Sequence, residues 1–326
     1  MKKIRWGIIG CGDVTELKSG PAFNKVKDSE LVAVMRRNAE KAKDYAQRHH
    51  VPRWYSDANS LINDPDINAI YVATPPSSHE EYTIAALKAG KPVYVEKPMS
   101  VNAGSAANMA KAASTAKQKL TVAHYRRAQP LFQKIKQLIL EKAIGDIRFA
   151  RLSLHKPSLS ASDLQIEKTA WRVDPSFAGG GLFHDLAPHQ LDLMYFFFGE
   201  PGKAVGIATN QGGFYLADDI VSGDILFKSG VQFSGVWCFN VSAEDEKDEC
   251  EIIGEKGKIV FSFFEHKPLT VTCNGAAEIY RFDALQHVQQ PMIEKTVEYF
   301  MDKAPNPCSG NEGAVVMQLI DRFTEK

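Results

Sequence analysis

Over its first 126 residues the chain alternates two kinds of segment. Apolar runs of strand length occur at "IRWGII" (4–9), "LVAVM" (31–35), "INAIYVAT" (67–74), "PVYVEK" (92–97) and "KLTVAHY" (119–125). Between them lie stretches with helical spacing. Asn38 stands where it can cap "NAEKAKDYAQRH", Gly90 ends "SSHEEYTIAALKAG", and Ser100 can cap the helix after the fourth run. Near-continuous apolar strands separated by amphipathic helices predict a doubly wound parallel sheet covered on both faces.

After residue 127 the rhythm changes. "AQPLFQKIKQLILEKAIG" reads as one amphipathic helix. It is followed by alternating runs, "DIRFARLSLH", "DIVSGDILFKSGVQFSGVWCFNV", "CEIIGEKGKIVFSFF" and "LTVTCNGAAEIYRF", several joined by glycine turns. That pattern predicts antiparallel strands and hairpins. Helical spacing returns at "QPMIEKTVEYFMDKA" and at the C-terminus. The expected fold class is α/β. A Rossmann domain at 1–126 precedes an α+β domain at 127–326 with a large, mostly antiparallel sheet.

Composition narrows the function classes. At 326 residues the chain exceeds the size of a single core, in keeping with two domains. Lys plus Arg equals Asp plus Glu, 39 against 39, so nothing in the balance points to a nucleic-acid partner. No window is apolar enough to span a membrane. The start, "MKKIRWGIIGCG", sets two lysines before an apolar stretch, but that stretch is short and runs into a glycine loop, unlike a leader. The five cysteines are scattered, without a CxxC pair, which suits free thiols in a reducing cytoplasm and predicts no metal site.

The first run ends in Gly10-Cys11-Gly12-Asp13-Val14-Thr15. Glycines spaced G-x-G permit a tight turn and close approach of the backbone to a pyrophosphate, so Gly10, Gly12, Asp13 and Val14 are candidate cofactor contacts. Thr15 occupies the position where the fingerprint has Gly or Ala. The second strand carries Met35, Arg36 and Arg37 at the place where NAD-binding chains put a carboxylate for the ribose. Arg36 and Arg37 can instead pair with a 2′-phosphate, which favours NADP(H) over NAD(H). The other reading is a solvated strand end, with NAD held through other contacts.

These segments, with "ATPPSSH", "AALKAGKPVYVEKPMS", "WRVDPSFAGGG" and "DLAPHQLDL", resemble the glucose–fructose oxidoreductase / inositol dehydrogenase (Gfo/Idh/MocA) family from residue 4 to about 200. The resemblance implies an NAD(P)-dependent oxidoreductase acting on a sugar, polyol or related hydroxy or keto compound. It makes the first domain the dinucleotide binder and the second the substrate-binding and oligomerisation domain. Lys97 of Glu-Lys-Pro would reach the nicotinamide and the reacting oxygen, with Glu96 orienting it or contacting the cofactor. A cis bond before Pro98 is a further expectation. Thr74, Pro75 and His79 would lie near the cofactor.

Asp185 and His189 stand where the resemblance puts an acid and a base. An imidazole titrating near neutrality suits proton transfer with a substrate hydroxyl. On a helix their spacing of four puts them on one face. Pro188 is comfortable only in a first turn, so the helix is expected to begin near 184–187, with Asp185 as a possible cap. Gly179, Gly180 and Gly181 are expected to let the backbone approach a ligand. Trp171 and Arg172 are candidate substrate contacts or packing residues. Alternatives are a redox-neutral glycosidase that retains its dinucleotide, a silent sugar- or dinucleotide-sensing regulator, and a dihydrodiol-type dehydrogenase. An open sheet face would suit a homodimer or homotetramer.

Overall fold

A computed structural model describes residues 3–166 and 170–325 of the chain. Six strands, β1 (Ile4–Ile9), β2 (Ser29–Met35), β3 (Arg53–Tyr55), β4 (Ala69–Val72), β5 (Val93–Val95) and β6 (Leu120–Val122), form one sheet. Their order is β3-β2-β1-β4-β5-β6 and every neighbouring pair is parallel. This is the doubly wound order, and it reverses between β1 and β4. Register then fixes which residues share an edge. Ile9 pairs with Met35 and Val72, Val72 with Val95, and Val95 with Val122. The turns beginning at residues 10, 36, 73, 96 and 123 therefore all leave the carboxyl edge side by side.

Eight further strands form a second sheet. They are β7 (Ile147–His155), β8 (Pro201–Thr209), β9 (Ile220–Phe227), β10 (Gln232–Cys238), β11 (Lys247–Gly254), β12 (Gly257–Phe261), β13 (Leu269–Cys273) and β14 (Ala276–Tyr280). The order is β14-β13-β12-β11-β7-β10-β9-β8, antiparallel except where β10 meets β7. The helix Leu182–Phe198 packs on its inner face. The ring of Phe183 lies 5.1 Å from that of Trp237, whose Nε1–H donates to Gln190 Oε1 at 2.6 Å. Gly206, Gly223 and Gly235 sit level on β8, β9 and β10, and β-carbons at the first two would run into Phe323.

The chain forms two compact units, Met1–Gln129 with Leu285–Met317, and Pro130–Ala284 with Gln318–Lys326. Where the sequence suggests one division near 126, the segment 285–317 instead rejoins the first unit. Its polar contacts are the cause: Lys119 Nζ meets Asp302 at 2.6 Å, Asn306 Nδ2 donates to Leu120 O at 2.8 Å, and Arg127 pairs with Glu312 at 2.5 Å. The ring of Phe300 also packs 5.5 Å from Trp6 in the core.

Candidate functional site

The first unit builds its site at the carboxyl edge of the six-stranded sheet, where β1 and β4 part. Gly10 has φ +95°, and a β-carbon there would lie 2.7 Å from Thr74 Cγ2 and 2.8 Å from Thr74 N, so the two turns touch. Gly12 is different. Its backbone is extended, at φ −131°, and a β-carbon would meet nothing nearer than Gly10 O at 3.9 Å. The space above it is open. Thr15, at the non-standard third position, is buried and donates its hydroxyl to Gly12 O at 2.8 Å, closing the loop from within. Tyr45 in turn donates to Thr15 O at 2.8 Å. The helix Asp13–Leu17 that follows is little more than a turn, with Asp13 exposed at its start and Val14 half-buried, so loop amides carry the anion-binding potential here.

A dinucleotide fits this cradle. One glycine is demanded by its φ, a second leaves room for a phosphate, and Thr74 Oγ1 is buried with no hydrogen-bond partner among the described residues. Arg36 sits at the end of β2 and reaches the Cys11 carbonyl with Nη1 at 3.4 Å, while Arg37 is exposed. Burial pushes the Cys11 thiol up to about 11, against the pull of Arg36, so it stays protonated. Pro75 is exposed beside Thr74. His79 is fully buried: its Nε2 is 2.7 Å from Thr74 O, and its Nδ1 is 3.0 Å from Pro98 O and 3.3 Å from Met99 O.

Lys97 emerges from β5 at the same edge, half-buried, and the Lys97–Pro98 bond is cis. Glu96 is turned inward. Its Oε1 accepts from the Tyr71 hydroxyl and from Gln289 Nε2 at 2.6 Å, and its Oε2 accepts from the Lys97 backbone N–H at 3.1 Å. Complete burial and the Glu96 charge raise the Tyr71 hydroxyl well above its ordinary pKa, so it remains a donor. Gln289 also meets the Tyr94 hydroxyl at 3.2 Å. Sequence reasoning missed Gln289, because 193 residues separate it from Glu96 and no local pattern marks it.

In the second unit the helix carrying Asp185 and His189 begins at Leu182, earlier than Pro188 suggests. Pro188 therefore lies inside the helix, and Asp185 belongs to its first turn with Gly181 as the cap residue. The proline leaves the His184 carbonyl without its i+4 donor. Asp185 and His189 share one helical face, on the side away from Phe183 and the sheet. Arg172 Nε lies 3.2 Å from Asp185 Oδ2, and its guanidinium stacks 5.1 Å from the Trp171 ring. Of the substrate candidates, Arg172 thus meets Asp185 directly and Trp171 meets Arg172. His189 is buried, with its ring 5.8 Å from Phe264.

Two of the three glycines before this helix serve packing, not an approach to a ligand. A β-carbon on Gly180 would overlap the His184 ring, and one on Gly181 would lie 2.5 Å from Ala217 Cβ. Gly179 takes φ +82° to end the short helix Pro175–Ala178. His184 is held to a pKa of about 4 by burial, with Asp218 opposing, so it is neutral. It fills space.

Comparison with known proteins accounts for this layout. Residues 4–124 match the profile described as "Oxidoreductase family, NAD-binding Rossmann fold", and residues 132–260 match the GFO/IDH/MocA C-terminal domain. The chain belongs to the GFO/IDH/MocA family. Oxidoreductase P35 of Formosa agariphila is 48% identical over 98% of both chains. The 1,5-anhydro-D-fructose reductase of Ensifer adhaerens is 31% identical over 70% of this chain and 67% of its own. Levoglucosan dehydrogenase, solved in complex with NADH, has the same fold, with a TM-score of 0.90 and 22% identity over 99% of this chain and 96% of that one. As a GFO/IDH/MocA protein the chain is an oxidoreductase that binds NAD(P) through its Rossmann unit. No helix among the described residues is long and apolar enough to cross a membrane.

Proposed function

We propose that the protein passes a hydride between NADP(H), preferred over NAD(H), and a sugar, polyol or related hydroxy or keto compound. The observation that carries this reading is the carboxyl edge of the parallel sheet. There the Gly10–Thr74 contact, the open space over Gly12 and the Lys97 ammonium follow on neighbouring strands. The cofactor, when bound, supplies the hydride acceptor or donor. Lys97 hydrogen-bonds the reacting oxygen and stabilises charge developing on it. Glu96 acts as a positioning residue, fixing the Lys97 backbone while Tyr71 and Gln289 hold its carboxylate.

In the oxidative direction His189 takes the proton of the substrate hydroxyl, and it returns that proton in reduction. Asp185, anchored by Arg172, keeps the acid–base pair oriented, and Trp171 offers a flat apolar face to a sugar ring. Arg36 and Arg37 support the NADP(H) preference, since no carboxylate stands at the end of β2 to repel a 2′-phosphate. The relatives that act on anhydro sugars support the substrate class. We also infer a homodimer or homotetramer, because Val205, Ile207, Leu226 and Val236 lie exposed on β8–β10. Five free cysteines suit a cytoplasmic location.

Fluorescence titration with NADPH and NADH tests the cofactor. A spectrophotometric screen of sugars, inositols and lactones follows, with 1,5-anhydro-D-fructose, levoglucosan and a trans-dihydrodiol included. Absence of binding by either nucleotide, or full turnover in Lys97→Ala, overturns the reading.

A further inference from the structure

The turn after β4 carries Thr74, which abuts the glycine loop, and the turn after β5 carries Lys97. Strand pairing between these neighbours ends at Val72 and Val95, with one last bond from Glu96 N to Val72 O at 2.9 Å. Beyond it a buried ring joins the two turns. His79, first residue of the helix His79–Lys88, faces Thr74 O through Nε2 at 2.7 Å and the carbonyls of Pro98 and Met99 through Nδ1 at 3.0 and 3.3 Å. Its exposure is 0%, so it reaches no cofactor directly. Complete burial holds its pKa below the ordinary value, against the pull of the Thr74 carbonyl and the Glu96 charge. A neutral ring has one N–H and donates to one side only, while its other nitrogen lies against the carbonyl opposite. Wedged with no exposed surface between the two turns, the ring sets the distance between the backbones it separates.

We propose that His79 is a positioning residue that clamps the Thr74 turn to the Lys97 turn, setting the spacing between the dinucleotide cradle and the catalytic ammonium. The inference rests on the role given to Lys97 above. It assigns to the helix-opening histidine a task distinct from touching the cofactor. Displacing a reacting group by about 1 Å costs on the order of 100-fold in rate, so a slack clamp shows mainly in kcat.

The test compares His79→Leu, which removes both polar contacts, with His79→Gln, which keeps a donor. The first readout is backbone hydrogen exchange by mass spectrometry on the full-length protein, which needs no substrate. The clamp predicts that His79→Leu speeds exchange at least about tenfold in both 74–78 and 97–100 while the β1 and β6 peptides hold their wild-type rates. His79→Gln should fall between. Unchanged exchange in 97–100, or acceleration spread evenly over the unit, overturns the proposal. Thr83→Val, in the same helix and also fully buried, controls for helix packing and should leave both turns unchanged.

The second readout is a double-mutant cycle on kcat with Lys97→Ala. His79→Leu should lower kcat about 100-fold in the wild type, with the substrate KM kept, and less than about twofold in the Lys97→Ala background. Equal losses in both backgrounds overturn the clamp but leave the reading of Lys97 standing. Full turnover in Lys97→Ala removes that reading and the clamp with it. If His79→Leu does not fold, His79→Gln goes through both measurements, and wild-type values in both overturn the proposal.

Discussion

Gly10 and Gly12 are two residues apart, yet the structure predicts opposite consequences for the same substitution. In Gly12→Ala the new methyl meets nothing nearer than 3.9 Å and the φ of −131° is open to any residue, so folding stability should change by no more than about 0.5 kcal/mol. The methyl does occupy the space assigned to a phosphate. Lost or lengthened hydrogen bonds to a charged group cost about 1.5–3 kcal/mol, which is roughly a tenfold to 150-fold rise in Kd for NADPH. In Gly10→Ala the left-handed φ of +95° costs about 1–2 kcal/mol, and forcing a carbon to 2.7–2.8 Å from Thr74 and Ala73 adds about 1–3 kcal/mol. Together about 2–5 kcal/mol should lower Tm by roughly 4–20 °C. Thermal unfolding of each ligand-free variant and titration of nicotinamide fluorescence separate the two effects. Wild-type NADPH affinity in Gly12→Ala refutes the placement of the phosphate, and a Tm loss in Gly12→Ala matching that of Gly10→Ala refutes the geometry of the loop.

Arg37→Glu should weaken NADPH binding at least about tenfold and spare NADH, moving the ratio of the two Kd values toward NADH; an unchanged ratio removes the arginines from cofactor choice. Glu312 is raised by burial, but the Arg127 guanidinium and Ser309 outweigh that and hold its carboxyl below the ordinary range. A depressed folded pKa contributes stability that is present above the unfolded value of about 4.3 and is lost as pH falls through the folded one. Glu312→Ala, which removes the carboxylate paired with buried Arg127, should therefore cost about 3 kcal/mol in urea unfolding at pH 7, with the gap to wild type shrinking below about pH 4. Thiol titration of the native protein at pH 8 should label Cys273 first. It is the partly exposed cysteine, whereas burial raises Cys11 to about 11 and Cys250 well above its ordinary value.

What the sequence disclosed follows from how each element announces itself. β1, β2, β4, β5 and β6 are buried on both faces, so their apolar runs stood out, and the residues that follow them could be placed at one edge before the register was known. β3, Arg53-Trp54-Tyr55, and β8 both lie at sheet edges and are partly exposed along their length, so neither gave an apolar run to read. Pro188 suggested a later helix start than the observed Leu182, because a proline's local preference was outweighed by the packing of Phe183 and Gln190 on the sheet. The glycines at 180 and 181 were read as room for a ligand, although the room is taken by His184 and Ala217. Each error sits where a contact distant in sequence decided a local feature. The return of 285–317 to the first unit, which delivers Gln289 to Glu96, is the largest case.

The candidate residues of the two units are fixed by different means. In the first unit the contacts run to backbone groups: Thr15 closes the glycine loop on the Gly12 carbonyl, Glu96 accepts from the Lys97 amide, and the His79 ring lies between the Thr74 carbonyl and those of Pro98 and Met99. Backbone geometry is indifferent to what the substrate is, and it suits a cofactor whose reacting atom must always be in the same place. In the second unit Asp185 is held by a side chain, Arg172, that itself stacks on another side chain, Trp171. Side-chain pairs can be exchanged without moving a strand. On the roles proposed above, a cofactor end fixed by backbone groups and an acid–base end fixed by exchangeable side chains would let one hydride chemistry persist while the substrate changes.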